Sequence, residues 1–399
     1  MIKNNLYFLI KRLILINLSD IIIIVNDIKY KILKGDLSIM RENTVGIIFG
    51  TFAPLHTGHI DLITKAKREN KKVIVIVSGY KDDRGDKTGL SVQKRFRYVR
   101  EAFSQDKLVT VVKLDETNIP RYPDGWTQWL NKVKEVANLE QIENGKYIKE
   151  SKNEDLIFYV AEKEYEEELL QRGFNVSYNE RNFGISASKI RNNPRKYWNY
   201  ISMPFRRHFT TKVLIVGSAS NGKTTLATDL GRFYLAPVSY EYARQYEIES
   251  NVKDDELEPK DFFHFLLGQN KQTSDIIEGN SNNGLIIADT NSTVTAAYYD
   301  SYIRGIDDFE DTTFDKLYFS LSRKEKWDAI IFVEPTGKYI DDGFRDMTMA
   351  EDKDREKFST HLKLLIAKDF PQVPIYTIGG DYLKNYEESK KIINKLLNK

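Results

Sequence analysis

Two stretches of this chain combine glycines, hydroxyls and basic side chains at spacings suited to holding phosphate. The first is Gly50-Thr51-Phe52-Ala53-Pro54-Leu55-His56-Thr57-Gly58-His59, directly after a short apolar run and carrying two of the chain's five histidines. Glycine lets backbone approach a phosphate closely, both imidazoles can donate to its oxygens, and a following helix start adds free N–H groups and a positive dipole end. One histidine here would read as a cap on a turn; two so close make an anion site with two added donors. The second is Gly217-Ser218-Ala219-Ser220-Asn221-Gly222-Lys223-Thr224, between the apolar run Val213–Val216 and a helical pattern opening at Thr225. It satisfies Gly-x-x-x-x-Gly-Lys-[Ser/Thr] in the strand-loop-helix setting that gives that string its meaning. Its amides would cradle the phosphates, Lys223 would neutralise β and γ oxygens, and Thr224 would ligate Mg²⁺.

Carboxylates accompany the second loop. Asp289 ends the apolar run Leu285–Ala288, where a carboxylate can orient Mg²⁺. Glu241 lies in Tyr240-Glu241-Tyr242-Ala243-Arg244, after a short candidate strand, where it could accept a substrate hydroxyl proton. Glu241 as base with Asp289 at the metal is the preferred pairing, and the reverse stays open. Tyr240 and Arg244 are candidate substrate contacts. Asp341-Asp342-Gly343-Phe344-Arg345 reads either as a lid bringing Arg345 to the transferred phosphoryl group or as an exposed turn. A further stretch, Tyr122-Pro123-Asp124-Gly125-Trp126-Thr127-Gln128-Trp129, is an aromatic loop that could stack a flat ring between indoles; composition alone would put both tryptophans in a core.

These residues need rigid elements beneath them. Short β-branched runs alternate with helical patterns: Val45–Phe49, Val73–Val77, Leu108–Val112 and Ile157–Val160, then Val213–Val216, Gly284–Ala288, Ala329–Val333 and Val373–Ile378. Such alternation predicts two successive α/β domains, each a doubly wound parallel sheet. A chain of 399 residues agrees, being too long for one ordinary core and suited to two of roughly 150–200 residues. The joint is expected between Asn192 and Thr211, with domains over 41–205 and 206–399. Sixty basic residues against 58 acidic lack the excess of a DNA-coating protein, and the lack of cysteine removes thiolate nucleophiles and cysteine metal sites and fits the cytoplasm.

Residues 1–40 stand apart. Their apolar runs Leu13–Ile16 and Ile21–Val25 are interrupted by Lys11, Arg12, Asp20, Asp27 and Lys29, whereas a membrane span needs about 20 predominantly apolar residues. No signal-peptide cleavage pattern follows. Met40 precedes the first strand closely enough to be the working start, the alternative being an extension that packs as an extra hairpin or helix.

The decapeptide Gly50–His59 resembles the nucleotidylyltransferase signature Gly-x-Phe-x-Pro-x-His-x-Gly-His at every defined position. Ile185-Ser186-Ala187-Ser188-Lys189-Ile190-Arg191 resembles that superfamily's second motif, Ile-Ser-x-Thr-x-x-Arg, with Ser188 where threonine is usual and a hydroxyl retained. The resemblance implies that His56, His59, Lys189 and Arg191 neutralise the ATP phosphates while a substrate phosphate oxygen attacks the α-phosphorus and pyrophosphate leaves. Gly50, Thr51, Phe52, Gly58, Ser186 and Ser188 would line that ATP. A phosphate nucleophile is already ionised, so no protein base is required. The aromatic loop resembles the one holding the nicotinamide end in nicotinamide-nucleotide adenylyltransferases, which implies substrate roles for Asp124 and Trp126.

From Val45 to its end the chain resembles NadR-type bifunctional nicotinamide-nucleotide adenylyltransferase/ribosylnicotinamide kinases. That implies ATP-dependent phosphorylation of nicotinamide riboside to the mononucleotide (NMN), then adenylylation to NAD, with ATP and Mg²⁺ throughout. Some relatives carry an N-terminal DNA-binding helix-turn-helix; here no glycine-containing turn joins two amphipathic helices before Val45, so a DNA partner is not expected, nor a membrane one. A homo-oligomer stays open. Two other readings stand beside this one: a coenzyme A-pathway adenylyltransferase/kinase, and a nucleotide-sensing regulator without catalysis.

Overall fold

The computed structural model describes residues 41–121, 123–142, 156–180, 184–304, 312–335 and 351–398. The extension before Met40 and Met40 itself, Tyr122, and the Asp341–Arg345 segment with Arg345 lie outside them. The chain divides into two compact units, the first comprising residues up to Ala53 together with Thr57–Gly184, the second Pro54–His56 together with Ile185–Lys399.

The first unit is built on strands β1 (Arg41–Gly50), β2 (Asn70–Gly79), β3 (Val109–Asp115), β4 (Leu156–Val160) and β5 (Asn175–Tyr178). All pair in parallel in the order β3-β2-β1-β4-β5. Helices α1 (Thr57–Glu69), α2 (Val92–Ala102), α3 (Trp126–Ile142) and α4 (Lys163–Gln171) connect them. Parallel strands joined by helical crossovers must be covered on both faces, which is why Val73–Val77 is continuously apolar and wholly buried. Strand β5 has no counterpart among the apolar runs, because an edge strand of four half-exposed residues, Asn-Val-Ser-Tyr, needs no such run.

The second unit repeats the plan with β6 (Thr211–Val216), β7 (Val238–Ser239), β8 (Leu285–Asp289), β9 (Ala329–Val333) and β10 (Ile375–Ile378), parallel in the order β10-β9-β6-β8-β7. Its helices are α5 (Ala187–Asn192), α6 (Met203–Phe209), α7 (Lys223–Tyr234), α8 (Tyr242–Ser250), α9 (Pro259–Glu278), α10 (Ser292–Tyr299), α11 (Thr312–Ser322), α12 (Asp352–Asp369) and α13 (Tyr382–Leu397). Strand β10 starts two residues later than expected, since Pro374 has no N–H for the ladder and contributes only its carbonyl, to the Ile330 amide. In each sheet the first strand is central and its crossovers leave in opposite directions, so a crevice opens at its carboxyl end, where ligands bind in such folds. Both phosphate motifs begin there, at Gly50 after β1 and Gly217 after β6. Among the described residues no helix is long and apolar enough to cross a membrane.

Candidate active sites

In the first unit, β1 delivers Gly50 and Thr51 to the sheet's end, where Phe52 turns the chain with a left-handed φ of 46°. Phe52 is buried and its ring meets that of His59, in the first turn of α1, edge to face at 4.9 Å. Arg84 Nη2 donates to Thr51 Oγ1 (3.2 Å), adding a basic group the sequence had not singled out. The loop carrying Arg84 is pinned by a buried ion pair: Arg95 donates to both oxygens of Asp83 (2.9 and 2.6 Å), whose Oδ1 also accepts from the Gly85 and Asp86 amides. Burial alone would raise the Asp83 pKa, but Arg95 and the two amides outweigh it and hold the carboxyl below its ordinary range. A β-carbon at Gly79 or Gly85 would strike the Arg95 guanidinium, so the glycines flanking this loop were its one sequence signal.

The indoles of the aromatic loop do not bracket a flat ring. Trp126 and Trp129 are only 6% and 8% exposed and meet edge to face at 5.3 Å and 79°. With Leu130 and Val133 they form the inner stripe of α3 that covers the sheet, a helical spacing that outweighs their position beside a loop. Asp124 is exposed. Trp129 Nε1 donates to Glu116 Oε1 (2.9 Å), a carboxyl just beyond β3 whose pKa burial raises against opposing bonds from Ser78 and Trp129.

The second motif, in the second unit, starts α5. Ile185 and Ile190 anchor it in the interior. Ser186 Oγ caps the helix by accepting from the Lys189 amide (3.2 Å), which leaves its own hydrogen free to be donated; Arg191 Nη2 donates to Ser188 Oγ (3.0 Å). His56 is buried and bridges Ile201 as an antiparallel pair, while the Ser202 amide donates to Leu55 O (3.1 Å).

The phosphate-loop residues, Asp289 and Glu241 come together around one cleft. The loop from β6 to α7 takes left-handed φ at Ser220 (62°) and Gly222 (71°), turning successive amides inward. Lys223 Nζ lies back on the Ser218 carbonyl at 2.8 Å. Asn221 Nδ2 donates to Ser218 Oγ (2.9 Å) and Val333 O (3.2 Å), and its Oδ1 accepts from the buried Arg355 (2.6 Å), a contact from α12 that no local pattern announced. Thr224 Oγ1 donates to Asp289 Oδ2 at 2.5 Å. Asp289, at the end of β8, is 1% exposed, and its Oδ1 is buried with no hydrogen-bond partner among the described residues. Burial raises its pKa, with Lys223 and Thr224 opposing.

Glu241 stands at the N-terminus of α8. Its pKa is raised, first by burial and then by Asp289, while Lys223 and Arg244 pull the other way; the four charges share one field. Gln269 sets this turn, accepting from the Tyr242 amide (2.8 Å) and donating to the Tyr240 carbonyl (3.1 Å). A cleft gathers Ala219–Thr225, Glu241, Arg244, Glu247 and Asp254 with the rings of Phe262, Phe265, Tyr298 and Tyr302. Gly217 and Ser218 underlie it, and Tyr240 is exposed, its hydroxyl 3.4 Å from Thr228 Oγ1 rather than on the cleft wall. Glu247 and Asp254 were not anticipated; in sequence they belong to an ordinary charged helix and turn.

Residues 47–193 match the cytidylyltransferase-like family and 212–372 an AAA domain family. The chain is 34% identical to a NadR protein solved in complex with NR (TM-score 0.76), and 33% identical to NadR in complex with NAD and AMP-PNP (TM-score 0.73). Both alignments cover 90% of this chain and 97% of the other. It is 28% identical to the trifunctional NAD biosynthesis/regulator protein NadR of Salmonella typhimurium, over 89% of this chain and 85% of that one.

Proposed function

The chain belongs to the NadR family, and from that premise and the two sites we infer that it is a bifunctional NAD salvage enzyme. It phosphorylates nicotinamide riboside to NMN with ATP and adenylylates NMN with a second ATP, giving NAD and pyrophosphate. The observation that carries the kinase half is the cleft that joins the phosphate loop to Glu241, with Asp289 held to the loop's Thr224 behind its wall. The coenzyme A pairing drops out, because the end-to-end match is to NadR.

For the kinase step, we assign Glu241 as the base. A carboxyl kept basic by burial and by Asp289 suits acceptance of the riboside hydroxyl proton as that oxygen attacks the γ-phosphorus. The loop amides and Lys223 hold the phosphates, and ADP leaves. Arg244 lines the cleft beside Glu241 and is assigned to the riboside; Arg345 is assigned a supporting substrate contact on sequence grounds alone, and Tyr240, off the cleft wall, none. Mg²⁺ fits Thr224 Oγ1 and Asp289, whose inner oxygen has no other partner among the described residues, and there it would neutralise phosphate charge. In the adenylyl transfer, we assign His56, His59, Lys189 and Arg191 to the ATP phosphates, and the exposed Asp124 to the pyridine end of NMN; Trp126, packed in the core, is not assigned there. The substrates ATP and NMN put this work in the cytoplasm.

Purified full-length protein given nicotinamide riboside and ATP should make NMN, NAD, ADP and pyrophosphate. Lys223→Ala should abolish NMN formation alone, and His59→Ala the conversion of supplied NMN alone. If His59→Ala still adenylylates NMN at the wild-type rate, the assignment of the first site is wrong.

A further inference from the structure

Thr290, immediately after Asp289, has φ of 115°. A β-branched residue takes such a dihedral only where its surroundings impose it. Asp289 is fixed on one side, since β8 pairs in register with β6 as far as Ile215↔Asp289. The residues after Thr290 are fixed on the other. Asn291 Oδ1 caps α10 by accepting from the Val294 amide (3.3 Å), and its Nδ2 donates to Glu325 Oε2 (2.7 Å). The Ser292 amide donates to Glu325 Oε1 (3.1 Å), and Thr293 Oγ1 to Asp369 Oδ2 (2.7 Å). Thr290 alone joins a strand end to a clamped helix start, so it takes whatever dihedral closes the gap. Glu325, between α11 and β9, accepts a third bond from Trp327 Nε1 (3.1 Å) and does not itself line the cleft.

We propose that Glu325 is a positioning residue of the kinase: its bonds to Asn291 and Ser292 keep Thr290 left-handed, and that dihedral holds Thr290 on the cleft wall, directly after the Asp289 that bonds Thr224. The assignment rests on the kinase reading above. It differs from a packing role in that the strain at one residue, not the integrity of the unit, carries the effect.

The test uses the full-length chain as wild type, Glu325→Gln, Glu325→Ala and Glu325→Ala with Thr290→Gly. Glu325→Ala should lower kinase kcat at least ~10-fold, with KM for nicotinamide riboside within about twofold, and should raise the Mg²⁺ concentration needed for half-maximal rate. Glu325→Gln, which keeps one acceptor oxygen, should fall between. Adenylylation of NMN by the same preparations should stay within about twofold of wild type, reporting a folded chain. Glycine takes a positive φ without strain, so Thr290→Gly should recover at least about threefold of the lost kinase rate. In nucleotide-free protein, hydrogen exchange of the 290–294 amides should quicken in Glu325→Ala while β6 and β8 stay protected. The proposal is overturned if Glu325→Ala leaves kinase rate and exchange unchanged. It is equally overturned if exchange rises throughout the second unit and Thr290→Gly restores nothing. Failure of the wild type to phosphorylate the riboside would sink the kinase reading instead, and the exchange arm would still judge the clamp.

Discussion

Replacing Gly217 by alanine isolates how closely the phosphate loop is fitted to its sheet. Gly217 follows β6 with φ of 154°, and a β-carbon there would lie 2.4 Å from the Val333 carbonyl oxygen. Carbon and oxygen sit comfortably at about 3.5 Å, so one partner must give by about 1 Å. Val333 is the last residue of β9, paired with β10 and in register with the strand bearing the loop, so the loop moves instead. That movement also strains the 3.2 Å bond from Asn221 to the same oxygen. A misplacement of about 1 Å costs about 10²-fold in rate, some 2.7 kcal/mol of transition-state stabilisation. Gly222→Ala in the same loop supplies the comparison: φ there is 71°, but nothing lies within 4 Å of the added carbon. It should cost about 1 kcal/mol of backbone strain and less than ~10-fold in rate. The assay is ADP release with nicotinamide riboside at saturating ATP, normalised to NMN adenylylation by the same preparation. A Gly217→Ala enzyme within threefold of wild type, or Gly222→Ala as damaging as Gly217→Ala, would refute the reasoning.

Two further outcomes follow from two carboxyls of the cleft, the half-buried Glu241 and the buried Glu247. Glu241→Gln should lower kinase kcat by about 10²–10⁴-fold, and the wild-type rate should fall with acid through an apparent pKa above the ordinary 4.5. Arg244→Ala should move that acid limb higher still, because Arg244 opposes the rise; an unmoved limb rules Glu241 out as its source. Glu247 is pushed up to about 9, by burial first and then by Asp254, against the Arg244 ion pair. The folded state therefore binds that proton more tightly than the unfolded chain. Its contribution is full below about 4.5 and is lost as pH rises toward about 9. Wild-type Tm should fall relative to Glu247→Gln across that window, and parallel curves for the two proteins would contradict the burial argument.

Much of the fold was legible because each central strand is a contiguous apolar run and each crossover a helical period, both local patterns. The two motifs were legible for the same reason: a loop that cradles phosphate with its own amides is written in consecutive residues. The aromatic loop was not, because the residue types matched a ring-binding site while the i, i+3, i+4, i+7 spacing of Trp126, Trp129, Leu130 and Val133 turned the indoles into the core. Tyr240 likewise neighbours Glu241 in sequence but does not line the cleft, its hydroxyl lying by Thr228 Oγ1 instead.

By itself, then, the sequence determined two parallel α/β domains, two phosphate-loop motifs, and the order of chemistries along the chain. Tertiary structure alone decided what holds those sites: Arg95 on Asp83, Arg355 on Asn221, Glu325 on Asn291, and the burial that keeps Glu241 and Glu247 protonated above their ordinary range. Twelve to 134 residues separate the partners in those pairs. No local period links residues so far apart, and a carboxyl's pKa follows from the charges and dielectric that folding brings around it, not from its neighbours in the chain.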